Sequence, residues 1–305
     1  MHAAWAKILS DVSPLHPHMT ELTPTVSAET GSDLRLTIGV FDSGVGGLSV
    51  LRVLRQHLPQ ATLLYVADSG NAPYGEKSES FITARSLAIA DFLLEQGAEL
   101  LVVACNTATA TSVQALRQRH PHLPIVGIEP GVKPAVAASV AHKVGVMATP
   151  GTLSSGRYAH LIEQHAGNAQ ILPQPCPGLA KAIESGQLDT PLLRELIAGF
   201  CEPLKQAGVD TVVLGCTHYP FVAPLIAEAM GPGVQLIDTS DAVARQTVRL
   251  ARRALSSAER LEGEPAAGRT RLWTSGDVPA LRHFCTPWMA DAATVEALPV
   301  GHPTN

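Results

Sequence analysis

The stretch Leu101-Val102-Val103-Ala104-Cys105-Asn106-Thr107-Ala108-Thr109 decides the fold class, because an apolar run typical of a buried strand ends at a thiol and small polar side chains. The same pattern returns at Thr211-Val212-Val213-Leu214-Gly215-Cys216-Thr217-His218-Tyr219. Ligands usually bind at the carboxyl ends of strands in open α/β sheets. A buried structural cysteine is the simpler explanation for either stretch alone. The two stretches together, with polar neighbours that a core would have to satisfy, favour a functional site.

A second repeated feature is a Gly-Val strand that runs into a small polar turn. Ile38-Gly39-Val40-Phe41 leads into Asp42-Ser43-Gly44-Val45-Gly46-Gly47, and Val144-Gly145-Val146-Met147 leads into Ala148-Thr149-Pro150-Gly151-Thr152. The first turn offers backbone N–H groups at a helix start, which suits a carboxylate or phosphate. It lacks the third glycine of a dinucleotide fingerprint. Gly39 precedes Cys105 by 66 residues and Gly145 precedes Cys216 by 71, a spacing that predicts two similar halves, although common α/β units can also repeat by coincidence at such lengths.

This repeat predicts an α/β fold of two pseudo-symmetric lobes, each a mostly parallel sheet flanked by helices, with the active site in the cleft between them. The first lobe is expected at 35–127 plus 236–295, and the second at 128–235. Residues 1–34 are rich in Pro, Ser, Thr and His without a sustained period, so they are expected to form a flexible N-terminal extension. Residues 296–305 are expected to form a tail.

Composition narrows the class of partner. The 305 residues carry a net charge of −5, so the charge balance gives no indication of nucleic acid or of an anionic membrane surface. Charged residues or prolines interrupt every long apolar run, and no transmembrane helix is predicted. Five cysteines without a secretion signal favour reduced thiols in the cytoplasm. The expected partner is a small molecule.

Four motifs resemble those of the glutamate racemases, in the same order and at similar spacing. They are Asp42-Ser43-Gly44-Val45-Gly46-Gly47, Pro73-Tyr74-Gly75, Ala104-Cys105-Asn106-Thr107-Ala108 and Gly215-Cys216-Thr217-His218-Tyr219-Pro220. The resemblance covers about residues 36–285 and implies two α/β lobes with the active site between them. The departures are the N-terminal extension and Cys176-Pro177-Gly178-Leu179, where many members carry bulkier apolar residues. These departures concern regulation and subunit packing and leave the chemistry in place.

The resemblance also implies the role of each motif residue. Cys105 and Cys216 are the two acid/base groups, Cys105 deprotonating D-glutamate and Cys216 deprotonating L-glutamate. Asp42 and His218 support the neighbouring thiols. The implied substrate-binding residues are Asp42, Ser43, Tyr74, Gly75, Asn106, Thr107, Thr217 and His218, and a matching turn adds Thr149 and Thr152.

The chemistry of racemisation explains why two thiols are needed. One group must remove the α-proton and another must supply a proton to the opposite face. A thiol with a pKa near 8.5 becomes useful at neutral pH when a cationic neighbour lowers that pKa, a part that His218 could play for Cys216. An ionised Asp42 would instead raise a nearby thiol's pKa, which leaves proton handling or orientation of the substrate ammonium as its function.

The resulting expectation is a cofactor-independent enzyme that converts L-glutamate to D-glutamate for peptidoglycan synthesis. No pyridoxal phosphate, nicotinamide or metal is expected, since the pair His120 and His122 lacks further ligands at metal spacing. The resemblance admits a homodimer. Cys201 and Cys285 fall in helical apolar patterns typical of a core, and Cys176 is interpreted as structural.

Two alternatives stay open at this point. One is a related racemase or decarboxylase that acts on hydantoins or malonates and shares the lobes and at least one cysteine. The other is a non-catalytic regulatory homologue whose N-terminal extension binds a partner. The presence of both cysteines, each followed closely by a threonine, favours the racemase over both alternatives.

Overall fold

The computed structural model of the protein describes residues 34–255, 268–287, 289 and 294–299. The first of two sheets is built from six parallel strands in the order β10-β9-β2-β1-β3-β4. Its strands are β1 (Thr37–Asp42), β2 (Thr62–Ala67), β3 (Leu100–Val103), β4 (Ile125–Gly127), β9 (Thr270–Thr274) and β10 (Thr294–Ala297). The second sheet is parallel too, in the order β6-β5-β7-β8. Its strands are β5 (Lys143–Ala148), β6 (Gln170–Pro175), β7 (Thr211–Leu214) and β8 (Gln235–Ile237).

Helices connect the parallel strands, as parallel pairing requires. In chain order they are α1 (Leu48–His57), α2 (Glu79–Glu95), α3 (Asn106–Arg119), α4 (Val132–Ala138), α5 (Pro150–Leu153), α6 (Gly156–His165), α7 (Leu179–Glu184), α8 (Pro191–Gln206), α9 (Ala223–Met230), α10 (Ser240–Leu255) and α11 (Val278–Cys285). Short 3₁₀ turns lie at Ser69–Asn71, Tyr74–Glu76 and Tyr219–Val222. The fold class predicted from the sequence, α/β with two parallel sheets flanked by helices, is confirmed.

The two sheets share one strand order. The run β2-β1-β3-β4 of the first sheet corresponds to β6-β5-β7-β8 of the second, so β1 matches β5 and β3 matches β7. In each sheet the chain turns to opposite sides at the central pair, which makes that pair the point where an open α/β sheet forms its ligand crevice. Cys105 follows β3 by two residues and Cys216 follows β7 by two residues. The fold therefore brings each thiol to the equivalent edge of its own sheet.

Apolar packing explains why these segments form strands and helices. The central strands are almost wholly buried, as expected of parallel strands covered on both faces. Helix α8 buries Leu193, Ile197, Cys201 and Leu204, a spacing that lines one helical face. The largest cluster of buried apolar residues runs from the first sheet into the second, joining Leu48 of α1 to Ile183 of α7 and to Cys216. Cys176, Cys201 and Cys285 are buried, as the sequence predicted.

Two predicted boundaries are corrected by the strands. Strand β8 pairs with β7 in the second sheet, so residues 236–237 belong there and not to the first lobe. Strand β10 runs to Ala297, inside the predicted tail 296–305. The sequence indicated a strand at residues 236–238, but a strand of three residues does not show which sheet it joins. Strand β10, with four residues, is too short for periodicity to identify it. The division into two lobes stays a prediction, and the expected extension lies outside the described residues except for Leu34.

Across the described residues, no helix has the length and apolar character that a membrane span requires.

Candidate active site

Both thiols line a single cleft. Cys105 and Cys216 are nearly buried, with exposed fractions of 4% and 6%. Ten of the twelve predicted site residues border this cleft, together with Pro73 of the Pro73-Tyr74-Gly75 motif and Ala180, neither of which was predicted as a site residue. The full lining is Ser43, Pro73, Tyr74, Gly75, Cys105, Asn106, Thr107, Thr149, Ala180, Cys216, Thr217 and His218. Asp42 and Thr152 lie behind it and contact lining residues.

The surroundings of Cys105 favour the thiol over the thiolate. Its sulfur caps the start of α3, accepting a hydrogen bond from the Ala108 N–H at 3.4 Å, and lies 3.7 Å from Ser43 Oγ. Burial raises the pKa of Cys105 well above its ordinary value, and the nearby Asp42 carboxylate raises it further. Cys105 therefore holds its proton at neutral pH and is suited to act as an acid.

Asp42 connects the glycine-rich turn of the first half to Thr217 of the second half through hydrogen bonds. Its carboxylate accepts hydrogen bonds from the backbone N–H groups of Ser43 at 2.7 Å and Gly47 at 2.5 Å. It also accepts one from Thr217 Oγ1 at 3.2 Å. Burial raises the pKa of Asp42, and the charge of His218 opposes that rise. Asp42 therefore orients the turn and Thr217 from behind the cleft.

Cys216 has an imidazole as its neighbour, where Cys105 has a carboxylate. Its sulfur lies 3.6 Å from His218 Nδ1, and His218 Nε2 lies 2.6 Å from Glu184 Oε1. Burial disfavours the charged imidazole, but hydrogen bonds to Cys216 and Glu184 outweigh burial and raise the pKa of His218 well above its ordinary value. A protonated His218 can donate to both neighbours at once, which provides a cation beside the Cys216 sulfur.

Glu184 is a site residue that the sequence did not reveal. It ends helix α7 and accepts hydrogen bonds from the Val45 N–H at 2.6 Å and from Ser69 Oγ at 3.3 Å, as well as contacting His218. A Cβ atom on Gly44 would overlap its carboxylate, so any larger residue there would force the Glu184 carboxylate to move. That glycine was visible in the sequence, but nothing near it identified a carboxylate 139 residues from Val45 as its neighbour.

Three threonine hydroxyls join the two halves of the chain at the cleft. Thr107 Oγ1 lies 3.0 Å from Thr149 Oγ1 and 3.3 Å from Thr152 Oγ1, and Thr149 Oγ1 lies 3.0 Å from Thr152 Oγ1. The neighbouring Asn106 side chain is buried, and both of its amide atoms lack a hydrogen-bond partner within the described segments. A buried amide of this kind is a candidate for binding a polar ligand.

Tyr74 lines the cleft with its hydroxyl already engaged. That hydroxyl donates to Asp68 Oδ2 at 2.6 Å. Burial and the Asp68 carboxylate together raise the pKa of Tyr74 well above its ordinary value. Its single proton is therefore engaged by Asp68, and substrate binding by Tyr74 stays a prediction.

The segments that the structure describes contain no group of three or more His, Cys, Asp or Glu side chains placed to hold a metal ion. The cleft instead presents two thiols with contrasting surroundings, flanked by hydroxyl, amide and backbone donors. Such an arrangement can remove a proton from a bound molecule and return another.

Comparison with known proteins gives a consistent result. The family model for Asp/Glu/Hydantoin racemase matches residues 48–247. The chain is 54% identical over 258 residues to the glutamate racemase of Ectopseudomonas mendocina (strain ymp), covering 85% of this chain and 96% of that protein. It is 52% identical over 238 residues to the glutamate racemase of Pseudomonas aeruginosa (strain PAO1), covering 78% and 88%.

Solved structures show the same likeness. The structure of Escherichia coli glutamate racemase in complex with L-glutamate and the activator UDP-MurNAc-ala is 32% identical, with a TM-score of 0.77 over 88% of this chain and 99% of that one. The glutamate racemase isoform RacE1 of Bacillus anthracis is 30% identical, with a TM-score of 0.75 over 87% of this chain and 98% of that one.

Proposed function

Because this chain belongs to the Asp/Glu/Hydantoin racemase family, and within it to the glutamate racemases, we propose that it interconverts L- and D-glutamate by proton transfer between Cys105 and Cys216. The observation that supports this proposal most strongly is that both thiols line one cleft, each from the equivalent strand end of its own sheet. Racemisation needs an acid and a base on either side of the α-carbon, and the cleft offers one thiol from each half.

In the proposed direction from L- to D-glutamate, the Cys216 thiolate removes the α-proton and becomes a thiol. The electron pair stays on the α-carbon as a carbanion until Cys105 donates its proton to the opposite face and becomes a thiolate. The contrasting surroundings support this assignment, because His218 provides a cation beside Cys216 while burial and Asp42 keep Cys105 protonated. Proton exchange with solvent, or a turnover in reverse, restores the starting state.

The donors around the cleft suit a dicarboxylate. The Asn106 amide and the hydroxyls of Ser43, Thr107 and Thr149 can bind carboxylate oxygens and stabilise negative charge that develops during proton removal. Aspartate, which is one methylene shorter, would leave part of this set unpaired, and unpaired buried polar groups are costly. Glutamate is therefore the proposed substrate and aspartate a poor one.

The decisive experiment is circular dichroism of the purified enzyme after dialysis and chelator treatment, with glutamate, aspartate, a hydantoin and a substituted malonate. The proposal expects glutamate to racemise at full rate without any added cofactor or metal. In deuterated water, the product should acquire deuterium before the recovered substrate does, since return to the starting face reuses the proton just removed. Comparable turnover of aspartate, or activity restored only by a cofactor, contradicts the proposal.

The biological role proposed for this activity is the supply of D-glutamate for peptidoglycan in the cytoplasm. Growth of a D-glutamate auxotroph on expression of the chain would support that role, and failure of the active enzyme to restore growth would contradict it. A homodimer stays a prediction, which light scattering of the full chain in solution tests directly.

A further inference from the structure

A fully buried ion pair lies beside the cleft and is not part of the proposed chemistry. Asp68, in the loop after β2, and Arg85, on helix α2, both have exposed fractions of 0%. Arg85 Nη2 donates to Asp68 Oδ1 at 2.5 Å and Arg85 Nε donates to Asp68 Oδ2 at 3.0 Å. This two-bonded geometry is the one in which a guanidinium and a carboxylate fix each other's orientation. A pair this deeply buried contributes little net stability compared with apolar residues of similar volume, so stability alone does not explain its presence.

The remaining acceptor positions of Asp68 are occupied by the loop that follows it. Asn71 Nδ2 donates to Oδ1 at 3.0 Å, and the Tyr74 hydroxyl donates to Oδ2 at 2.6 Å. The Asp68 carboxylate thus receives four hydrogen bonds, two from Arg85 and two from the loop. The backbone N–H of Asp68 donates to the carbonyl of Asp42 at 3.0 Å, which anchors the same residue to the end of β1.

The loop held in this way meets the second half of the chain. The turn Tyr74–Glu76 packs against helix α5. A Cβ atom on Gly75 would come within 2.9 Å of Thr149 Cβ, so the backbone passes close to the threonine that lines the facing side of the cleft. The position of this turn therefore sets the width of the cleft between Gly75 and Thr149.

We propose that Asp68 and Arg85 are positioning residues: through the Tyr74 hydroxyl, their buried ion pair holds the turn Tyr74–Glu76 at the distance from Thr149 that glutamate binding requires. The inference rests on the proposed function for its kinetic consequence. Neither residue lines the cleft or touches the two thiols, so the pair should affect how tightly substrate is held and leave proton transfer unchanged.

The test uses two conservative variants, each chosen to weaken one connection between the ion pair and the turn. Tyr74→Phe keeps the ring and removes the hydroxyl, and Arg85→Lys keeps the charge and loses the two-pronged geometry. Each should raise KM for L-glutamate by about tenfold while kcat changes by less than about twofold. This pattern is expected when a variant weakens binding of the substrate and of the transition state equally. Tyr158→Phe is the matched control, because Tyr158 is a buried tyrosine outside this cleft whose hydroxyl has no partner in the described segments.

A second measurement does not depend on activity. The backbone N–H of Lys77 donates to the Tyr74 carbonyl at 3.0 Å, and that of Glu76 to the Pro73 carbonyl at 3.5 Å. Hydrogen–deuterium exchange of these two amides should be faster in Tyr74→Phe and Arg85→Lys than in the wild type, and unchanged in Tyr158→Phe. Faster exchange reports a released turn, whatever the substrate.

The outcomes separate a positioning function from a structural one. A structural function alone would lower the folded fraction, and so the apparent kcat, at unchanged KM. Unchanged KM in both variants overturns the inference, and so does unchanged exchange at Glu76 and Lys77. If the wild-type enzyme does not racemise glutamate, the proposed function fails, and exchange alone then decides whether the ion pair holds the turn.

Discussion

His218 Nε2 lies 2.6 Å from Glu184 Oε1, while the other ring nitrogen of His218 lies 3.6 Å from the sulfur of Cys216. The imidazole thus connects a carboxylate to a thiol, and the carboxylate in turn accepts a hydrogen bond from the glycine-rich turn at Val45. Cys105 instead has the buried carboxylate of Asp42 beside it. The two sulfurs of the cleft therefore have contrasting neighbours, an imidazole beside Cys216 and a carboxylate beside Cys105.

Replacing either thiol by an alcohol should remove activity. Cys105→Ser and Cys216→Ser should each lower kcat/KM for both enantiomers by about 10³-fold or more, because a serine hydroxyl is far less acidic than a thiol and cannot serve as a base near neutral pH. Circular dichroism of L- and D-glutamate solutions measures both directions. Cys201→Ser is the matched control, because Cys201 is buried in α8 away from the cleft. Near-native racemisation by either of the first two variants would falsify the two-thiol mechanism.

Replacing Glu184 by glutamine should change the pH dependence. The Glu184 carboxylate is one of the groups that raise the pKa of His218, and glutamine removes its charge while keeping an acceptor. Removing this charge should lower the pKa of His218, so the variant should lose the imidazolium at a lower pH than the wild type does. The ratio of wild-type to Glu184→Gln kcat/KM for L-glutamate should therefore grow as pH rises from 6 to 8, reaching about tenfold or more. A ratio that is constant with pH contradicts this.

The free energy of unfolding should also depend on the protonation of His218. A folded-state pKa of His218 above its unfolded value means that the protonated imidazole stabilises the fold fully below about pH 6.5. That contribution is lost as pH rises through the raised pKa. The difference in unfolding free energy between the wild type and Glu184→Gln, measured by urea denaturation, should be larger at pH 6 than at pH 9.

Gly44→Ala should disrupt the site, because the new Cβ atom would overlap the Glu184 carboxylate. We expect the carboxylate to move away from Val45 and His218, with a loss of kcat/KM of about tenfold or more. Gly199→Ala, in the middle of α8 where a Cβ meets nothing within 4 Å, is the control. It should keep full activity and gain about 0.5–1 kcal/mol of stability, as expected for alanine in a helix. Equal activity of the two variants would show that Glu184 need not approach this turn.

Thr152→Val should weaken substrate binding although Thr152 does not line the cleft. Its hydroxyl orients those of Thr107 and Thr149, and valine keeps the shape while removing the hydroxyl. We expect KM for glutamate to rise about threefold to tenfold with kcat nearly unchanged, the loss of roughly one hydrogen bond. Thr247→Val removes a buried hydroxyl that bonds within α10, to the Val243 carbonyl, and should leave KM unaltered. Equal KM values in the two variants would remove Thr152 from the site.

The sequence predicted the strands and the residues at their ends, because a short run of neighbouring residues identifies each of them. Strands such as β2 and β9 are short β-branched or aromatic runs with clear ends, and Cys105 and Cys216 follow directly from the strands that deliver them. The contacts that give each thiol its character join distant segments. Glu184 ends a six-residue helix with no motif around it, and the partnership of Arg85 with Asp68 depends on how α2 lies against the first sheet. Pairings of this kind follow from packing, which no local pattern encodes.

The unequal surroundings of Cys105 and Cys216 have a consequence for the kinetics of a racemase. L- and D-glutamate are mirror images with the same free energy in water, so their equilibrium constant is one. The Haldane relation then requires kcat/KM to be equal for the two enantiomers, however different the acid and base are. An imidazolium beside one sulfur and a carboxylate beside the other can therefore change kcat and KM only together. An enantiomer with a higher kcat must have a KM that is higher in the same proportion.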